Sequence, residues 1–122
     1  MARSVDLAAA RYNKDMNDCI FCKIAHKELG ELIWENDVAA AFHDHSPKAP
    51  VHVLVVPKLH ITNLDDLEDE VLAGKLVMAV RAVATQVGVK NAWRLRVNNG
   101  AKVGQSVPHL HFHVLGGEQM AE

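Results

Sequence analysis

Near the C-terminus stands His109-Leu110-His111-Phe112-His113-Val114-Leu115, where imidazoles and apolar side chains alternate as far as His113. A period of two is the mark of a β-strand with one face turned to a core. As a strand, this run sends Leu110 and Phe112 to the core and all three imidazoles to the opposite face. Imidazoles titrate near neutral pH, so the polar face is a row of groups suited to chemistry. Just ahead lies Gly104-Gln105-Ser106-Val107-Pro108, a loop whose backbone N–H groups could cradle an anion.

The rest of the chain supplies partners for such a strand. Asp18 is placed to cap a short helix carrying Cys19, Ile20, Phe21, Cys22, Ile24 and Ala25, with Gly30 closing the unit. Leu32 to Glu35 and Val38 to His43 read as a hairpin about Asn36-Asp37. Val51 to Val56 is a β-branched strand stopped by Pro57. A long helix is expected from Thr62 or Asn63, with Asp65, Asp66, Glu68, Asp69 and Glu70 at the positive end of its dipole. Its apolar stripe reads Leu64, Leu67, Val71, Leu76, Val80, Val83 and Val87, and Gly88 ends it. Trp93, Leu95 and Val97 alternate with Arg94 and Arg96 as a further strand. The expected class is α+β: a mainly antiparallel five-stranded sheet, one long helix and one short one. Residues 1–17 read as a polar leader and 18–122 as one domain.

Composition narrows the function. The net charge is −2 with no basic patch, which speaks against nucleic acid and anionic membranes as partners. The apolar run Val51 to Pro57 is far too short for a bilayer span and contains His52. Leu7 to Ala10 is too short for a secretory signal, while Arg3, Ser4 and Arg11 suit a transit peptide and Asp6 and Asp15 do not. Cys19 and Cys22, the two cysteines, form no disulfide framework. A reduced, cytoplasmic protein is expected.

Two chemistries suit the triad. A catalytic zinc site would use two of its histidines but needs a further ligand and an acid to activate water, and no acidic residue follows the strand before Glu118. Covalent catalysis at phosphorus needs only a neutral imidazole as nucleophile, with neighbouring imidazoles and loop N–H groups on the phosphate oxygens. Cys19-Ile20-Phe21-Cys22 likewise reads as two plain thiols, a redox pair, or half of a structural zinc site.

The run from Gly104 to Gly117 resembles the signature of the histidine triad (HIT) superfamily, and its His-Val-Leu-Gly-Gly ending followed by Gln119-Met120 resembles the nucleotide-binding (Hint) branch. Ala41-Phe42-His43-Asp44, Ser46 to His52, Val55 to Ile61 and Arg96 to Gly100 match the same branch. The resemblance implies a hydrolase of purine nucleoside monophosphate conjugates, AMP or GMP phosphoramidates, acting through a nucleotidyl-histidine intermediate. Dinucleoside polyphosphate hydrolysis and plain nucleotide binding are the rivals.

The resemblance also assigns roles. His111, the middle histidine, becomes the nucleophile. His113 and His52 contact the α-phosphate, and Ser106 sits by the leaving group. His109 completes the catalytic set. Gln105 and Val107 face the phosphate, Asp44 takes the ribose hydroxyls, and Asn98 holds phosphate or sugar. Ile20, Phe21, Phe42 and Leu54 line a slot for the base. Some members complete Cys-x-x-Cys with two histidines around zinc, which by position are His60 and His109. No organic cofactor is implied. A homodimer is expected, since Leu72, Val77 and Met78 exceed what one apolar stripe needs and the Trp93 to Val97 strand is free to extend the sheet across a two-fold axis.

Overall fold

The computed structural model describes residues 18–122; the leader expected over residues 1–17 lies outside them. The elements run α1 (Ile20–Ala25), β1 (Trp34–Glu35), β2 (Ala39–His43), β3 (Val51–Pro57), α2 (Glu70–Gln86), β4 (Trp93–Arg96) and β5 (Phe112–Gly116), with 3-10 turns at Leu64–Asp66 and Ala101–Val103. The strands form one sheet in the order β1-β2-β3-β5-β4. Every neighbouring pair is antiparallel. The expected architecture of five strands, one short helix and one long one is therefore the observed one.

Each face of the sheet has its own core. Val53, Val55, Leu110, Phe112 and Val114 pack with Leu76, Val80 and Val83 of α2. Their neighbours Leu54 and Val56, with Ala40 and Phe42, pack on the other face with Phe21, Cys22 and Ala25 of α1. Because helices cover both faces, β3 is apolar nearly throughout rather than alternating. His52 is its exception, and it is buried.

Several local expectations change. Helix α2 begins at Glu70, not near Asn63, because Asp69 caps it: its carboxylate accepts from Val71 N at 2.9 Å and Leu72 N at 3.1 Å. Such a cap stabilises a helix by about 1 kcal/mol. Asp65 and Asp66 belong to the preceding 3-10 turn, separated from α2 by extended Leu67. The helix packs on the sheet through Leu72, Leu76, Val80 and Val83, so Leu72 joins the core while Val71 and, in the 3-10 turn, Leu64 are exposed. Leu72 is thereby removed from the outward face expected of it. Helix α1 is capped by Cys19, not Asp18, with Sγ accepting from Cys22 N at 3.4 Å. The β5 ladder starts only at Phe112, although His109, Leu110 and His111 just before it are all buried. Leu110 N donates to Ile61 O at 2.7 Å there, outside the ladder.

Candidate active site

Two histidines of the triad and His52 meet in a cleft of about 540 Å³, a size suited to a small molecule. Strands β2, β3, β4 and β5, helix α1 and the loops after β2 and β4 supply its walls. Ile20, Phe21, Ile24, Phe42 and Leu54 form an apolar end, and Asp44, Asn98, Ser106, Val107, His52, His111 and His113 form a polar one. The phenyl ring of Phe21 meets that of Phe42 edge-on at 5.3 Å and the His111 imidazole at 5.0 Å. One residue thus both walls the apolar slot and packs the central histidine.

The hydrogen-bond partners dictate the tautomers. His111 Nδ1 lies 2.7 Å from His109 O. A carbonyl only accepts, so Nδ1 carries the proton and Nε2 keeps its lone pair. Lys48 N donates to His52 Nδ1 at 2.9 Å, so His52 Nε2 carries a proton. That nitrogen donates to His113 Nδ1 at 2.9 Å. The remaining proton of His113 therefore sits on Nε2, a buried atom with no partner among the described residues. A buried donor left unpaired is costly, and this one belongs to a side chain lining the cleft.

Protonation follows from burial. Burial pushes His111 below the ordinary imidazole range, against the hydrogen bond to His109 O. It pushes His113 down to about 4, assisted by the neighbouring charges of His111, Arg96 and His52. It lowers His52 too, with Asp44 opposing. At neutral pH the three are neutral, which leaves a nucleophilic lone pair beside a hydrogen-bond donor. Asp44 and the two imidazoles His52 and His113 lie close enough to share a metal, but the His52–His113 hydrogen bond already occupies the facing nitrogens.

Asp44 stands at the end of β2. Its Oδ1 accepts from Ser46 N at 2.8 Å, closing a turn, and its Oδ2 lies 3.4 Å from His52 Nε2. Gln105 is a correction. Its side chain does not line the cleft: Oε1 accepts from Gly100 N at 2.8 Å, and Nε2 donates to Thr62 O at 2.6 Å and Val107 O at 3.1 Å. Its own N–H donates to Gly100 O. Gln105 braces the loop instead of facing a phosphate. Gly104 does line the cleft, at a left-handed φ of +100°, where a side chain would be strained.

His109 also departs from the catalytic set. Its ring turns from the cleft to Cys19 and Cys22, whose sulfurs each lie 3.3 Å from Nδ1. Its Nε2 donates to Pro57 O at 2.9 Å, so Nδ1 presents a lone pair to the sulfurs. His60 Nδ1 lies 3.2 Å from Cys22 Sγ. The four donor atoms all fall within 4.8 Å of one another. Tetrahedral zinc with ordinary Zn–S and Zn–N bonds sets sulfur and nitrogen about 3.5 Å apart, so this donor set fits the ion closely. The Cys19 thiol is drawn down, chiefly by its hydrogen bond with Cys22 and further by His109, while Cys22 is pushed up.

Sequence reasoning did not single out Ile24, Lys48 or Arg96 as lining residues. Ile24 follows Phe21 by three positions on α1, a usable signal. Arg96 reaches the cleft only through strand pairing.

The family model for the HIT domain matches residues 27–120. The chain belongs to the HIT family. An uncharacterised HIT-like protein of Synechocystis is 45% identical over 103 residues, 82% of this chain and 90% of the relative. A HIT family hydrolase from Legionella pneumophila superposes with a TM-score of 0.80 at 36% identity, covering 85% of this chain and 96% of that one. A histidine triad nucleotide-binding protein from Candida albicans does so at 0.71 and 28% identity, covering 86% and 85%. Among the described residues of this HIT protein, no helix is long and apolar enough to cross a membrane.

Proposed function

We propose that this HIT protein hydrolyses purine nucleoside phosphoramidates, as a member of the nucleotide-binding branch. The observation that carries the reading is the tautomer of His111: with Nδ1–H held by His109 O, Nε2 is the lone pair beside a buried, unpaired His113 N–H. The base lies in the slot of Phe21, Phe42 and Leu54, and the phosphate sits over His111 and His113. His111 Nε2 attacks phosphorus and the P–N bond breaks. The amine leaves with a proton from solvent, relayed through the Ser106 hydroxyl, which takes up one proton as it gives another. His113 Nε2–H donates to a non-bridging oxygen, where charge develops. Water then attacks phosphorus, the P–N bond to His111 breaks, and AMP or GMP departs as the imidazole regains neutrality. The Legionella neighbour's being a hydrolase and the Candida neighbour's being nucleotide-binding support the same direction.

The deciding experiment compares hydrolysis of an adenosine phosphoramidate with that of a dinucleoside polyphosphate. Faster cleavage of the polyphosphate overturns the phosphoramidase reading. AMP binding without turnover of either makes the protein a binding module.

Asp44 is proposed to accept from the ribose diol through Oδ2, the oxygen not committed to the Ser46 turn. Asp44→Ala should weaken AMP binding by about 1.5–3 kcal/mol and weaken the 2′,3′-dideoxy analogue far less. Calorimetric titration of both ligands checks this, and equal weakening refutes the assignment.

Zinc is proposed at Cys19, Cys22, His60 and His109. When bound it supplies a structural cross-link, tying the start of α1 to the strand that carries the triad. A homodimer is also proposed. Val71, Val77 and Met78 are exposed on α2, and Leu95 is exposed on β4 at the sheet edge, so a second copy would cover both. Light scattering at micromolar concentration should give twice the chain mass, and a monomer there excludes the dimer.

A further inference from the structure

An exposed arginine on an edge strand ordinarily needs no explanation, since charge there discourages unwanted pairing. Arg96 differs in its register. Phe42 pairs with Leu54, Leu54 with His113, and His113 with Arg96. Residues directly opposite one another share a face of the sheet, so these four form one row across it, and all four line the cleft. The row is chemically graded. Phe42 and Leu54, backed by Phe21, make the apolar end. His113, with its unpaired Nε2–H, sits in the middle. Arg96 stands one strand further, about 5 Å beyond, on the side away from the slot.

A ligand with its base between Phe21 and Leu54 and its phosphorus over His113 has one part left to place. That part is the group bonded to phosphorus on the far side, and it lies toward Arg96. Among the described residues the ion pairs are Lys27–Glu35, Lys58–Glu35 and His52–Asp44, and Arg96 belongs to none of them. Among the described residues the one acidic side chain lining the cleft is Asp44, at the opposite side just after β2. The side chain rises from the pleat rather than along the edge, so a strand added beside β4 would not take it away. The depression of His113 by the Arg96 charge marks the same proximity.

We propose that Arg96 selects the leaving group, and that the preferred substrates are nucleoside phosphoramidates whose amine carries an anion, as the amino group of an amino acid does. The inference rests on the hydrolase reading above. Arg96 acts on specificity and takes no part in bond making; its guanidinium meets the carboxylate of the departing amine, a charge-assisted contact with strict geometry.

The test uses adenosine 5′-phosphoramidates of glycine and of glycinamide, which differ by one charge on the leaving amine. The quantity read is the ratio of their kcat/KM values, compared between proteins so that the intrinsic reactivity of the two amines cancels. Arg96→Met should lower the glycine-to-glycinamide ratio about tenfold, and Arg96→Lys should lower it less. Arg94→Met removes the same charge from a residue that does not line the cleft, and should keep the wild-type ratio. An unchanged ratio in Arg96→Met, or an equal fall in Arg94→Met, overturns the proposal while leaving the hydrolase reading intact. No turnover of either conjugate by the wild type overturns both. A nucleoside polyphosphate serves as a third substrate. If Arg96→Met slows it by the same factor as the glycine conjugate, the site takes anions generally; if only the glycine conjugate is slowed, it takes the carboxylate.

Discussion

Replacing His111 by alanine should lower phosphoramidate turnover at least ~10³-fold, the scale expected when a covalent catalyst is removed, while AMP binding persists. Both halves follow from the division of labour in the cleft. His111 alone combines a central place with a free Nε2, because His109 O fixes its proton on Nδ1. Burial keeps it neutral, so the lone pair is available at neutral pH. Binding rests on other groups: His113 Nε2–H, Asp44 and the apolar slot remain in the variant. His111→Gly, which leaves more room, should regain part of the activity with added imidazole. Acid quenching of the wild type during turnover should trap a nucleotidyl adduct that mass spectrometry maps to His111. Near-normal turnover by His111→Ala, or an adduct on His109 or His113, refutes the covalent mechanism.

The second large effect concerns the metal. Protein purified without chelator should contain about one zinc per chain, and Cys19→Ser should lose it. The variant should melt roughly 10 °C or more below the wild type, because structural zinc contributes several kcal/mol and each is worth a few degrees in a domain of this size. The consequence reaches catalysis by a traceable route. The ring of His109 is held between the sulfurs and Pro57 O, and its carbonyl holds the His111 proton. Freeing the ring loosens that carbonyl, so kcat should fall about tenfold, the range seen when supporting groups around a site are removed. Metal-free wild type with unchanged melting temperature would leave Cys19 and Cys22 as plain thiols.

Legibility of the site varied with how local each signal is. Alternation told which side of β5 each histidine takes, because side-chain direction in a strand depends on parity alone. It did not tell where the ladder begins. Gln105 stands in the loop that looks made for a phosphate, yet closure of that loop against Thr62 and Gly100 occupies its amide. Periodicity put Val71 on the apolar stripe and left Leu72 as surplus, whereas Leu72 is buried and Val71 exposed. Packing against the sheet decided between them, since Leu72 lies one turn before Leu76 on the stripe that α2 buries. His43 and His45 flank Asp44 in sequence and line the cleft with it, a case in which local order and spatial order agree.

The sequence by itself determined the family, the two-faced character of the final strand and the types of group on its polar face. These depend on side-chain order within one short segment, and no other part of the chain needs to be placed to read them. The tertiary structure alone decided which nitrogen of each imidazole carries the proton, since that is set by His109 O, Lys48 N and Pro57 O. It separated His109 from the cleft, turning its ring to two cysteines nearly ninety positions away. It also set Arg96 opposite His113, because pairing between distant strands fixes which side chains become neighbours, and only the closed sheet specifies that pairing.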